Sequence, residues 1–159
     1  MPARPDAPPA LDAAEHRRLG AGLYNYTWTL MEKDSRTADE TDQLIHAVHA
    51  SAFHWRQIGN AANLARGEWI CSRVYSVLGQ AEPALWHARR CLELVEAGGE
   101  GFEDWDRGSA LESVARAHAV AGNRAESDRY RGLAEAELPK IAEDDDREVL
   151  EKDLASIPA

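Results

Sequence analysis

Three of the chain's six histidines fall within the stretch HAVHASAFHW at 46–55. Two histidines three residues apart on a helix point the same way, so His46 and His49 could bind one metal ion. Asp42, one turn earlier, could orient His46 through its second ring nitrogen. His54 points to another side of the same helix. The three histidines therefore do not form a site by themselves, and a metal here would use His46 and His49.

An acid–base or sensor pocket would result if side chains from neighbouring helices joined these histidines. Imidazole, carboxylate and phenol groups can exchange protons or bind metals. We favour the simpler alternative, in which His46 and His49 are buried, neutral and hydrogen-bonded between helices. No spacing of His, Cys and carboxylates matches a known metal signature, so no metal or other cofactor is expected. The candidate pocket comprises His46, His49, His54, Glu68, Tyr75 and His87.

A second group of residues combines two arginines with a tryptophan on a helix expected at 61–78. At about 100° per residue, Arg66, Trp69 and Arg73 lie together and away from the apolar face. Paired N–H donors of arginine bind carboxylates or phosphates, while an indole ring covers an apolar part of a ligand. The pattern therefore indicates a site for an acidic peptide or a small anion. A solvated face with one stacked Arg–Trp pair is the alternative.

The elements that must position these residues are helices throughout. Ala, Leu, Glu and Arg abound, and no sustained period-two alternation of β-branched residues indicates a strand. Gly79 and Gly122 stand where helices should end, because glycine adopts the left-handed cap conformation readily. Prolines near the start predict a disordered arm at 1–11, followed by a single helical domain at 12–159. The predicted helices are 12–33, 38–58, 61–78, 81–97, 103–121, 124–141 and a C-terminal capping helix at 144–155.

An internal repeat organises these helices. The same spacing, offset by 43 residues, relates Tyr75, Gly79 and Ala84 to His118, Gly122 and Ser127. A helix that closes on an aromatic, then a glycine, then a small residue at a close helix crossing resembles the tetratricopeptide repeat, whose usual period is about 34 residues. The resemblance covers about 65–141 and implies an all-α, right-handed solenoid of antiparallel helical hairpins.

A second resemblance covers most of the chain. The segments LYNYTWTLMEK, HAVHASAFHW and NLARGEWICSRVYSVLGQAEPALWHARRCLEL are together similar to an uncharacterised family of small bacterial proteins with tetratricopeptide-like folds. This resemblance implies the same fold and no activity. Because the first helix of each such hairpin lines a concave surface, it also implies that Arg66, Trp69 and Arg73 face a groove. The equivalent positions on the neighbouring first helices, which would complete the groove, are Glu112, Arg116, Asn25 and Trp28.

Composition restricts the partners. The formal net charge is −10, from 28 acidic and 18 basic residues, so phosphates would be repelled over most of the surface. This argues against nucleic acid and anionic membranes as partners. No apolar run approaches the roughly 20 residues of a membrane helix, and the start lacks the order of a signal peptide, so a cytoplasmic location is expected. Cys71 and Cys91 fall on apolar helical faces and are expected to be buried and inert.

These observations leave two functions from different classes. The first is a non-enzymatic interaction module that binds an acidic peptide or another anionic ligand in the Arg/Trp groove. The second is a small-molecule enzyme or sensor that uses the His/Glu/Tyr pocket, with or without a metal. No phosphate-binding loop, nucleophile elbow or zinc-helix motif favours catalysis. Apolar residues on several sides of helix 12–33 are compatible with a homodimer through that end.

Overall fold

A computed structural model describes residues 10–159 of the chain, and within them every regular element is helical. Most of the predicted arm at 1–11 lies outside the described residues. No helix of the described part combines the length and the apolar character needed to cross a membrane. The elements are α1 (Ala13–Met31), α2 (Ala38–Ile58), α3 (Ala61–Val77), α4 (Ala81–Ala97), α5 (Asp106–Val120), α6 (Arg124–Glu135), a 3-10 turn (Leu138–Lys140) and α7 (Asp144–Ala155).

The helix ends agree with the local signals in the sequence. At the start of α1, the Asp12 side chain accepts a hydrogen bond from the Glu15 amide, and the Glu15 side chain accepts one from the Asp12 amide. This reciprocal pair satisfies two donors that the first helical turn leaves without partners. Gly79 and Gly122 have φ angles of 70° and 74°. Both therefore adopt the left-handed backbone that was predicted to end the preceding helices.

Two predicted helices differ from the structure at one end. The predicted helix 103–121 begins only at Asp106, because the Asp106 side chain accepts the Glu103 amide in a turn before the helix. The predicted helix 124–141 ends at Glu135 and is followed by the 3-10 turn that contains Pro139. A proline has no N–H for the carbonyl four residues earlier, so an α-helix cannot continue regularly through this position.

The helices pack as three successive hairpins and a final helix. The hairpins are α1 with α2, α3 with α4, and α5 with α6, and α3 also contacts α5 while α5 contacts α7. Small side chains permit these close approaches. Ala84, Ala88 and Ala117 are fully buried together, and Ser127 is also buried. The two small residues predicted at helix crossings, Ala84 and Ser127, are thus both in the interior.

Two larger apolar clusters form the ends of the core. The N-terminal cluster joins the first three helices, and the C-terminal cluster joins α5 and α6 to the end of the chain. Burial of such side chains drives the packing, because most helical stability in proteins comes from tertiary packing of an apolar face. The N-terminal cluster contains Leu30, Met31, Leu44, Val48, Ile70, Cys71 and Val74. The C-terminal cluster contains Leu111, Ala115, Ala134, Ile141, Leu150, Leu154 and Ile157.

Candidate functional sites

A cavity of about 450 Å³ opens mainly between α1, α3, α5 and α7. Its lining is rich in aromatic side chains, because four of the chain's five tryptophans face it together with one tyrosine. Aromatic walls of this kind bury a large ligand area at little cost in side-chain entropy. The aromatic lining residues are Tyr24, Trp28, Trp55, Trp69 and Trp105.

The aromatic side chains of α1 and α3 support one another. The ring centroids of Trp28 and Trp69 are 6.3 Å apart, and Tyr24 meets Trp28 edge-on at 6.3 Å. Both separations are within the range of favourable aromatic contacts. The Trp69 indole nitrogen is buried and has no hydrogen-bond partner within residues 10–159. The walls are therefore held in place by their own packing.

Arg66 is the one arginine that residues 10–159 contribute to the lining, and it is already paired. Its guanidinium donates two hydrogen bonds to the Asp106 carboxylate, at 2.9 and 2.7 Å. It also stacks on Trp105, with the Arg66 Cζ atom 4.4 Å from the ring centroid. The hydrogen bonds to Asp106 raise the pKa of Arg66 above its usual value. Arg66 thus acts as part of the wall, with its charge balanced by the chain itself.

Three of the predicted groove residues form a buried ionic network outside the cavity lining. Glu112 is fully buried, and Arg73 and Arg116 are each 8% exposed. Arg116 Nε donates to Glu112 Oε1 at 2.8 Å. Arg73 Nη2 lies 3.6 Å from Glu112 Oε2 and 2.7 Å from Asp153 Oδ1. Burial raises the pKa of Glu112, while the guanidiniums of Arg73 and Arg116 oppose that effect.

This network attaches the end of the chain to the rest of the fold. Arg116 Nη2 donates to the Asp153 carbonyl and to the Ser156 hydroxyl, each at 2.7 Å. Because these partners lie on α7 and just after it, the network joins α5 to α7. The prediction that the Arg73 side chain is open to a ligand is therefore wrong, because that side chain is buried against Asp153 and Glu112. Glu112 and Arg116 are equally enclosed, and Asn25 is exposed and does not line the cavity.

The charges at the cavity wall favour a particular ligand class. Besides Arg66, the charged lining residues are three carboxylates, Asp106, Asp146 and Asp153. Asp106 pairs with Arg66 and Asp153 pairs with Arg73. Asp146 has no ion-pair partner among residues 10–159. An added carboxylate would therefore meet no free cation from the described part of the chain and would approach a negatively charged wall.

A second group of polar side chains lies on another face of α3, away from the cavity. His49 Nε2 is 2.8 Å from the Tyr75 hydroxyl, and His87 Nδ1 is 2.6 Å from Glu68 Oε2. The Tyr75 ring stacks on the His87 ring, with centroids 5.7 Å apart and planes 5° apart. Four of the six residues predicted for the alternative pocket are thus brought together from α2, α3 and α4.

Cys71, which was predicted to be buried and inert, completes this group. Cys71 is 1% exposed, and its sulfur is 3.9 Å from His49 Nδ1. Burial raises the pKa of Cys71 to about 12, so the free chain holds a neutral thiol at this position. Burial lowers the pKa of His49, and His87 adds to this while Glu68 opposes it. Both Cys71 and Cys91 are buried, as predicted.

The remaining two histidines of the opening stretch have different surroundings. His46 is exposed, so the prediction that it is packed between helices is wrong. It lies one turn before His49 on α2. His54 reaches α1 instead, where its Nδ1 atom is 2.9 Å from Nδ1 of the buried His16. The two rings must share one hydrogen, because two protonated nitrogens at this distance would repel each other.

We expect the His16–His54 contact to make stability depend on pH. Burial, followed by the charge of His16, lowers the pKa of His54. Just below the unfolded value of about 6.5, the folded chain therefore binds fewer protons than the unfolded chain, so its stability rises with pH there. This contribution is complete above about pH 6.5 and is lost as the pH falls through the lowered folded value.

The measurement is the urea midpoint of the parent, His54→Gln and His46→Gln chains at about pH 7.5, 6.5 and 5.5. His54→Gln should reduce the loss of stability between the upper and lower pH. That loss cannot exceed about 1.4 kcal/mol per pH unit for one proton. The exposed His46→Gln serves as the matched control and should follow the parent. Equal slopes in all three chains would show that His54 does not contribute to the pH dependence of stability.

Comparison with known proteins adds no assignment to these two sites. No family model matches the chain, and neither a curated protein nor a solved structure is significantly similar to it.

Proposed function

We propose that this protein is a tetratricopeptide-like binding module whose cavity takes up a flat, largely apolar organic ligand that is neutral or positively charged. The observation that carries the proposal is the presence of four tryptophans and a tyrosine around a single cavity. A surface helix without a ligand gains little from large aromatic side chains, whereas a ligand site gains both contact area and rigidity from them.

The packing of the hairpins supports the tetratricopeptide-like part of the proposal. In such an array the first helices of successive hairpins form an inner layer. Here α3 contacts α5, α5 contacts α7, and the cavity is lined mainly by these helices and α1. Ala84 and Ser127, offset by 43 residues, are both buried, as close crossings of the second helices over the first would require. The cavity then corresponds to the concave side of a short solenoid.

The paired arginines decide the charge of the proposed ligand. The guanidinium of Arg66 is occupied by Asp106, and that of Arg73 by Asp153 and Glu112. An anionic ligand would have to displace these partners and would gain nothing from the protein's net charge of −10. A cation, by contrast, gains from the aromatic faces and from Asp146, which has no ion-pair partner among residues 10–159. Binding of an acidic peptide is therefore the alternative, and the relative affinities for ligands of different charge distinguish the two.

Three probes with one ring and different charges test this proposal. They are phenethylamine, 2-phenylethanol and 3-phenylpropanoate, titrated against the full chain with tryptophan fluorescence as the signal. We expect binding to weaken in the order amine, alcohol, carboxylate, with the spread reduced at high salt. Tightest binding of the carboxylate would reverse the assigned charge and restore the acidic-ligand hypothesis.

The location of the probe is tested by two tryptophan substitutions. Trp28→Ala removes one wall and should weaken phenethylamine binding about tenfold or more, the equivalent of about 1.4 kcal/mol. Trp86 is 71% exposed and lies outside the cavity, so Trp86→Ala is the matched control and should leave the affinity unchanged. If both substitutions had the same effect, or if none of the three probes bound, the cavity would not be the ligand site.

A further inference from the structure

The donor atoms of three side chains converge on the face of α3 that is opposite to the aromatic cavity. His49 of α2, Cys71 of α3 and His87 of α4 each offer one ligand atom, and these atoms all lie within 4.8 Å of one another. Two imidazoles and a thiol are the ligand types that zinc prefers in proteins. None of the three residues lines the cavity, so this site is independent of the ligand proposed above.

The hydrogen bonds around the two histidines leave the correct atoms available. Tyr75 holds Nε2 of His49, and Glu68 holds Nδ1 of His87. This leaves Nδ1 of His49, which faces the Cys71 sulfur at 3.9 Å, and Nε2 of His87. Histidines that bind metals characteristically donate their second ring N–H to a carboxylate or another oxygen, which sets the tautomer and the direction of the ring. Both histidines here have such a partner.

The separations also fit a common metal ion. A thiolate sulfur and an imidazole nitrogen bound to one tetrahedral zinc ion are about 3.6 Å apart, as follows from bond lengths of about 2.3 and 2.0–2.1 Å. The observed sulfur–nitrogen distance of 3.9 Å is close to this value, and because the three ligand atoms lie within 4.8 Å of one another, the side chains must close by about 1 Å to bind one ion. The stacking of Tyr75 on His87 and the 3.7 Å contact between Arg56 and Glu68 restrain the outer partners.

We propose that His49, Cys71 and His87 bind one divalent transition-metal ion of the zinc class, with Glu68 and Tyr75 orienting the two imidazoles. Cys71 binds as the thiolate, and its proton passes to the buffer. Three protein ligands leave a fourth position open for water or for another donor, which is the arrangement of sites that exchange a ligand. Because Cys71 is 1% exposed, the ion enters from the side of the two histidines.

The test uses cobalt(II) as a spectroscopic probe of the reduced, chelator-treated full chain, purified without a histidine tag. We expect one cobalt per chain, with a near-ultraviolet thiolate-to-cobalt charge-transfer band and visible bands of tetrahedral coordination, all removed by an equivalent of zinc. Cys71→Ala should abolish the charge-transfer band. Cys91→Ala is the matched control, since that thiol is buried elsewhere, and it should keep the band.

The histidines and their partners provide readouts that do not depend on the cysteine. His87→Gln should weaken cobalt binding by about 100-fold or more, whereas the exposed His46→Gln should have no effect. Glu68→Gln should weaken binding by about 10–100-fold while keeping the charge-transfer band, as expected for a residue that acts through a ligand. Circular dichroism of each variant confirms that the helices are intact.

The proposal is overturned if the parent chain gives no charge-transfer band at one equivalent of cobalt. It is also overturned if the band persists in Cys71→Ala, or if His46→Gln weakens binding as much as His87→Gln does. A band without the dependence on His87 would mean that the thiol binds cobalt with other partners. None of these results bears on the aromatic cavity, whose probes and variants are separate.

Discussion

Replacing Glu112 with alanine is expected to lower the free energy of unfolding by about 3–5 kcal/mol. The Glu112 carboxylate is fully buried and accepts a hydrogen bond from Arg116, while Arg73 lies 3.6 Å away. Removing this carboxylate leaves the buried guanidiniums of Arg116 and Arg73 without the negative charge between them. Their mutual repulsion in a poorly hydrated interior then destabilises the folded state. Because Arg116 also holds the Asp153 carbonyl and Ser156, α7 should loosen first.

Urea unfolding and amide hydrogen exchange measure these two effects. Glu126→Ala is the matched control, because Glu126 pairs with Arg129 on the surface of α6; the midpoint should stay at the parent value. Relative to the parent chain, Glu112→Ala should accelerate the exchange of the α7 amides more than that of the α2 amides. A loss as small as that in the surface control would mean that water reaches the network and compensates the arginines.

Replacing Ile70 with alanine should be the second large effect, with a loss of about 2–5 kcal/mol. Ile70 is 1% exposed and belongs to the N-terminal cluster, where the first three helices meet. Truncation removes the transfer free energy of three carbon atoms and leaves a void that the packed neighbours fill only partly. Since Ile70 also lines the cavity, the void should extend it.

Val149→Ala provides the comparison, because Val149 lines the same cavity from α7 but is 59% exposed. Its substitution should change the stability by no more than about 0.5 kcal/mol. Thermal and urea unfolding of the two variants show how much a lining residue contributes to stability when it is also buried in the core, as Ile70 is, and when it is not, as for Val149. Comparable losses would indicate that α7 carries a larger share of the core than its exposure suggests.

Much of the secondary structure was predictable, because helix signals are local. The glycine at Gly122, the capping pair Asp12 and Glu15, and the abundance of helix-forming residues act over one or two turns. The differences in the helix ends arise where a competing local interaction prevails, such as the Asp106 side chain that accepts the Glu103 amide. The tetratricopeptide-like arrangement and the homodimer through the first helix stay predictions.

The candidate sites were predictable only in part. Helical periodicity placed Arg66 and Trp69 on one face of α3, and both line the cavity together with Trp28 of α1. Trp105 was missed as a wall, because the helix predicted at 103–121 included it, whereas it lies just before α5 and its side chain does not follow that helix's periodicity. The only sequence feature that pointed to an aromatic site was the presence of five tryptophans in so short a chain. This count does not show which of the tryptophans lie close together.

What the sequence determined by itself is therefore the set of helices and the faces on which their polar and apolar residues lie. Only the tertiary structure decided which charges and rings meet across those faces. Arg73 lies on a polar face by periodicity, yet it is buried against Glu112 and Asp153. Cys71 likewise lies on an apolar face, yet its sulfur approaches His49. The physical reason is that the rotation and offset of packed helices follow from the interlocking of many side chains over the whole core, and no short-range pattern encodes that sum.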